Sequence, residues 1–161
     1  RIVFRTNDLK QYDYGRNFMY DEGLAVGYGM RGRFRGSMFM LAISIFIKLM
    51  SMSFTRSLLQ KTVLPKPGEG PSKAEREGGY FKVKIIGQDV EGENRTEVFI
   101  ADSNDPGYGS TAKMLAETAL CLALNADMLP KQYGVITPAV AMGTIIAGRL
   151  KKAGFIITVD G

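Results

Sequence analysis

Residues 99–124 read FIADSNDPGYGSTAKMLAETALCLAL. An apolar run closes on Asp102, a polar turn follows, and a long apolar run begins near Ser110. Strand, turn and helix in that order make this stretch the pivot of the fold. Within it, Gly107 to Ala112 spells G-x-G-x-x-A, the outline of a dinucleotide-binding turn. Such a turn needs its first glycine at the end of a buried parallel strand and an acidic residue ~20 positions on. Here five residues, Asp102 to Pro106, separate the apolar run from Gly107. Counting forward from Gly109 reaches Leu129 and Pro130 rather than a strand ending in Asp or Glu. The stretch therefore fails as a free-standing nucleotide fingerprint. What remains is a helix N-terminus, where Gly107 and Gly109 open a turn toward an anionic or carbonyl ligand. Tyr108 beside it is placed to donate a proton to a carbonyl oxygen. The plain alternative is a turn that feeds a buried helix.

Upstream, YFKVKIIG (80–87) alternates, with Phe81, Val83 and Ile85 on one face and Lys82 and Lys84 on the other. RTEVFIA (95–101) follows a polar link containing Gly92, so the two runs read as an antiparallel pair. Downstream, GVIT (134–137) is a short strand or an extended lead-in. Thr137 and Pro138 open a helix running to Lys152, Gly154 ends it, and FIITV (155–159) is a last strand. Residues 80–161 thus read β-β-α-β-α-β. The expected class is α+β: a partly antiparallel sheet covered by helices. The 111–126 helix, apolar almost all round, is expected to be well buried.

The first half is less regular. RIVFRTND (1–8) looks like a strand running into a turn. Because the chain starts on Arg1 in apparent mid-fold, it is expected to be a piece of a larger protein. Arg31, Arg33 and Arg35 alternate with Gly32, Phe34 and Gly36, and read as a solvated basic flank rather than a nucleic-acid segment. From Met38 to Ile47 only Ser44 is polar. That run is shorter than the ~20 residues of a spanning helix. It reads either as a buried helix or as a peripheral membrane or acyl-chain contact through 38–47, with basic residues on both sides. LPKPGEGPSKAEREGG (64–79) is a Pro/Gly-rich loop in which Ser72 and Glu75 match a capping box. It is either a linker or a loop carrying Lys66, Lys73 and Arg76 toward an anionic ligand. The division read from this is 1–59, an apolar helical segment; 60–79, a loop; and 80–161, an α/β region.

Composition narrows the chemistry. The chain has 161 residues, no histidine, one cysteine and a formal net charge of +5. Without histidine, proton transfer falls to Lys, Tyr, Asp or Glu, and no metal site is expected. Cys121 lies in an apolar run and reads as a core residue. The positive charge suits an anionic partner without requiring nucleic acid. Nothing points to an oxidising compartment, and a cytoplasmic location is expected.

Three blocks, 66–88, 105–124 and 134–159, resemble in order and spacing the carboxyl-terminal half of saccharopine-dehydrogenase-like oxidoreductases, and among them the trans-acting enoyl reductases. The resemblance implies an NAD- or NADP-dependent enzyme acting on a lipid-like substrate. Its Rossmann domain would lie outside this chain, so no cofactor is expected on this chain alone. The region in hand would then supply substrate binding and homodimer contacts. On that reading Tyr108 is the proton donor, Lys66 and Arg76 contact substrate or cofactor phosphate, and Gly107 and Gly109 shape the substrate turn. The competing readings are a non-catalytic lipid-surface module and an inactive fold fragment.

Overall fold

The computed structural model describes residues 1–65 and 68–160. Among them the elements run α1 (Ile2–Leu9), α2 (Gly29–Ser51), α3 (Ser53–Thr62), α4 (Lys73–Gly78), β1 (Phe81–Gln88), β2 (Arg95–Asp102), α5 (Gly109–Leu124), a 3-10 turn (Ala126–Met128), α6 (Pro138–Met142), α7 (Ile145–Lys152) and β3 (Ile156–Asp160). The chain divides into two compact units. Arg1–Tyr20 joins Pro71–Gly161 in the first, and Asp21–Gly70 forms the second.

The first unit is built on a three-stranded antiparallel sheet in the order β1-β2-β3. The expected hairpin is present, with Phe81 opposite Asp102 and Gln88 opposite Arg95. Its link is held by Asp89, whose Oδ2 accepts from the Asn94 amide at 3.1 Å and from Asn94 Nδ2 at 2.6 Å. Register places Val83, Ile100 and Ile157 in one row and Ile85, Val98 and Val159 in the next. This apolar face is only partly covered, since Val83, Ile85 and Val159 stay exposed.

GVIT takes neither reading as a whole: no strand forms there, the chain bends at 134–135 with the Ile136 amide donating to the Gly134 carbonyl at 3.1 Å, and Thr137 is extended where it leads into α6. The order after the hairpin is therefore α, 3-10, α, α, β. The single helix expected over 138–152 is broken in two. Gly143 sits at φ +55°, a left-handed conformation that costs glycine little and ends α6. The carboxyl-terminal cap falls as expected, with the Gly154 amide bonding the Lys151 carbonyl at 3.1 Å. α7 is tied to α5 by Arg149, whose Nε donates to Glu117 Oε2 at 2.8 Å and whose Nη1 donates to Asn125 Oδ1 at 3.1 Å.

Residues 2–9 are a helix, not the expected strand. The β-branched opening favours a strand locally, but tertiary contacts override it. Thr6 and Asn7 are buried against other parts of the unit. The hydroxyls of Thr6 and Thr137 meet at 2.8 Å, and Asn7 closes the following loop through the Gly15 carbonyl and the Tyr14 amide, both at 2.9 Å. Thr137 opens α6 by position, but its hydroxyl goes to Thr6 instead of capping its own helix.

α5 is also less buried than its composition suggested. Ser110 and Cys121 are its buried residues, whereas Leu115, Leu120, Leu122 and Leu124 remain exposed. Apolar residues all round a helix require cover on every side. Here α6 and α7 cover only part of it.

In the second unit, the arginines of the arginine-glycine stretch are exposed, as expected of a solvated basic flank, and the stretch is helical. It forms the first turns of α2, which has 23 residues. Gly32 is buried against Gly27, so closely that a Cβ there would lie 2.3 Å from the Gly27 carbonyl oxygen. The helix stops at Met52, which is extended (φ −93°, ψ 129°), and α3 starts at once. The run 38–47 belongs to a helix that is long and apolar enough, by length and composition, to cross a membrane, and the buried-helix reading does not hold within this chain, because every residue from Met38 to Ile47 is exposed.

Candidate functional site

The turn between β2 and α5 is organised by a residue absent from the sequence-based set. Asp105 Oδ2 accepts the Tyr108 amide at 2.8 Å, and Oδ1 accepts the Gly109 amide at 2.9 Å. Its carbonyl takes the Ser110 amide at 2.9 Å, and its own amide donates to the Arg76 carbonyl at 3.0 Å. The Gly109 amide holds the Asp105 carboxyl below its ordinary range against the cost of desolvation. The Tyr108 and Gly107 amides and the Arg76 charge add to it. A tethered carboxylate thus fills the anion position at the α5 N-terminus.

The two motif glycines serve the same carboxylate. A Cβ at Gly109 would lie 2.9 Å from Asn104 Cβ and 3.2 Å from Asp105 Oδ1, and one at Gly107 would lie 3.3 Å from Asp105 Oδ2. The close approach that glycines grant a pyrophosphate in a dinucleotide turn is here granted to Asp105 and Asn104. Gly79 matters in the same way. A Cβ there would be 2.6–2.8 Å from Asp105 Cβ, Cα and N, so α4 can dock on this turn only through glycine.

Beneath the turn lies a buried polar cluster. Asp102 Oδ2 accepts Ser110 Oγ at 2.5 Å and Asn104 Nδ2 at 3.4 Å, and Oδ1 accepts Lys113 Nζ at 2.6 Å. The Asp102 side chain is 1% exposed. Burial opposes its ionisation, but Lys113, Ser110 and Asn104 together outweigh it and hold the carboxyl below its ordinary range. Lys113 Nζ also sits 4.8 Å over the ring of Phe155, which meets Phe81 edge-on at 6.2 Å. All acceptor positions used by this cluster are internal, so its role is to lock the end of β2 to the start of α5. The sequence held a signal for it: an acid closing an apolar strand, then Ser110 and Lys113 three apart on one helix face.

The residues singled out beforehand fall as follows. Arg76, Gly107, Tyr108 and Gly109 gather around Asp105, while Lys66 lies outside the described residues. Tyr108 is 54% exposed. The capping box is formed, with Ser72 Oγ accepting the Glu75 amide and Glu75 accepting the Ser72 amide. Cys121 is fully buried. Among the described residues no group of three or more His, Cys, Asp or Glu is arranged to hold a metal.

A separate cleft of about 440 Å³ opens between α5, the 129–136 loop and α6. Leu122, Leu129, Ile136 and Met142 make it apolar, with Lys131 and Tyr133 also on its wall. Its first α5 residue, Thr118, lies nine positions, or ~14 Å, along the helix from Gly109. Of the candidate site residues read from the sequence, Arg76, Gly107, Tyr108 and Gly109 do not line it. Sequence reading missed it because 129–136 carries no regular periodicity.

Nearly the whole chain is similar to mycobacterial proteins whose names share three words. Those words are trans-acting enoyl reductase. A Mycobacterium tuberculosis protein whose name includes these words is 40% identical over 162 residues, 96% of this chain and 37% of the relative. A Mycobacterium ulcerans protein named trans-acting enoyl reductase is 35% identical over 161 residues, 98% of this chain and 38% of its own length. A Mycobacterium bovis protein of the same name is 35% identical over 159 residues, with the same coverage. The chain therefore spans little more than a third of the length of these relatives. No family model matches it, and no solved structure matches it significantly.

Proposed function

We propose that this chain is the substrate-facing part of an enoyl reductase, working with a nicotinamide cofactor bound by residues outside it. The observation that carries this is identity of 35–40% sustained over 96–98% of the chain with proteins named trans-acting enoyl reductase. Within the chain, an Asp105-filled helix end supports placing the dinucleotide elsewhere. The apolar cleft along α5 supports an acyl chain as the substrate portion held here. When bound, the cofactor supplies the hydride. Tyr108, exposed at the turn, offers the hydroxyl that hydrogen-bonds or protonates the polar end of the substrate. The same reading includes a homodimer, supported by the open apolar sheet face.

The test uses the intact protein containing this chain, an α,β-unsaturated acyl thioester and reduced nicotinamide. Loss of reduced-nicotinamide absorbance that depends on the thioester is expected. Tyr108→Phe should lower kcat on the order of 100-fold while leaving thermal unfolding unchanged. Absence of turnover with any unsaturated thioester sinks the reading. Unchanged kcat in the variant removes Tyr108 from it.

A further inference from the structure

We infer that α2 is a monotopic membrane anchor, embedded in one leaflet of an anionic bilayer and entered and left through the same face. The inference goes beyond the reductase reading and does not depend on it.

The first observation is α2 itself. Met38 to Ile47 are apolar on every side and all exposed. Ser44 is the exception to the apolar run, and its hydroxyl is satisfied internally by the Met40 carbonyl at 2.8 Å. A helix without a polar face gains most by leaving water on all sides, which favours burial in hydrocarbon over adsorption at a surface.

The second observation is charge. No Asp or Glu occurs from Gly29 to Ser51. Arg31, Arg33 and Arg35 stand at one end, and Lys48, Arg56 and Lys61 follow at the other. Arg35 and Lys48 are thirteen positions apart, or ~20 Å, short of the ~30 Å hydrocarbon core. Long basic side chains at both ends reach back to headgroup level, and anionic lipid complements them.

The third observation fixes the topology. Arg1–Tyr20 and Pro71–Gly161 belong to one compact unit, joined by the buried Thr6–Thr137 hydroxyl contact. Both ends of segment 21–70 therefore connect to the same folded body. A single pass through the bilayer would tear that body in two. α3 has ten residues, ~15 Å, too short to make the return crossing. α2 must enter and leave on one side.

Flotation of the full chain with phosphatidylcholine vesicles, with and without phosphatidylglycerol, tests insertion. Flotation with the mixed vesicles is expected. Replacing Arg31, Arg33 and Arg35 with Gln should weaken partition on the order of 100-fold. Changing Phe39, Ile43 and Phe46 to Ser should abolish it. Topology is read from single-cysteine variants Asn17→Cys and Lys73→Cys in a Cys121→Ala background. An impermeant maleimide added outside should label both. Protection of one site alone means a crossing helix and overturns the proposal. Self-association without flotation assigns the face to a second copy of the chain and overturns it too, as does flotation that ignores the Phe39, Ile43 and Phe46 changes.

Discussion

Replacing Lys113 with Met isolates the charge that stabilises the buried Asp102 carboxylate. The ammonium lies 2.6 Å from Asp102 Oδ1. At an effective dielectric constant near 20, that separation corresponds to a gross attraction of roughly 6 kcal/mol. Desolvation offsets part of it, and removing one partner of a buried pair costs about 3–5 kcal/mol. Lys113 is itself 31% exposed, so solvent screening puts the expected loss at the lower end, about 3 kcal/mol. Methionine keeps the contact with Phe155 but forfeits the cation–ring attraction, about 0.5–1 kcal/mol of that total. Urea unfolding followed by circular dichroism should show the midpoint falling by roughly 1–2 M. The pH dependence carries the sign. Asp102 is held below its ordinary value in the folded state, so its stabilisation is present above the unfolded value, about 3.9, and is lost as pH falls through the folded one. Without Lys113 that advantage shrinks, so the gap between native and variant chains should narrow as pH falls below ~4, toward the cation–ring contribution alone. A gap under about 0.5 kcal/mol, or one of equal size at pH 7 and pH 3, would refute an electrostatic lock.

Gly79→Ala should destabilise the first unit by about 1–3 kcal/mol, because the new methyl meets Asp105 backbone atoms that cannot swing aside. Gly78→Ala, with open space around it, is the matched control, and equal melting temperatures for the two would contradict the packing account. Thr137→Val removes the buried hydroxyl contact to Thr6 and should cost about 1 kcal/mol. It should also speed amide exchange across Ile2–Leu9, and unchanged exchange there would mean that α1 is held by something else.

The parts of the fold governed by local pattern were legible in the sequence. Period-two alternation over 81–86 and the polar link around Gly92 specified the hairpin, and the Ser72–Glu75 spacing specified the cap. What escaped depends on partners distant in sequence. α1 is helical because Thr6 and Asn7 find polar partners at Thr137 and Gly15, which its β-branched opening cannot reveal. The break at Gly143 required knowing that the backbone turns left-handed there. At the candidate site, Tyr108, Arg76 and the two glycines were visible, but the residue that assembles them was not. Asp105 reads as one more polar residue in a turn until its two amide contacts are seen.

That carboxylate changes what the helix end can compete for. A side chain tethered three and four residues from its amide donors is present at a local concentration in the millimolar range or above. A free phosphate must displace it, and must also endure its negative charge once displaced. The helix end therefore carries its own resident counter-ion, one that acid neutralises only below the ordinary carboxylate range.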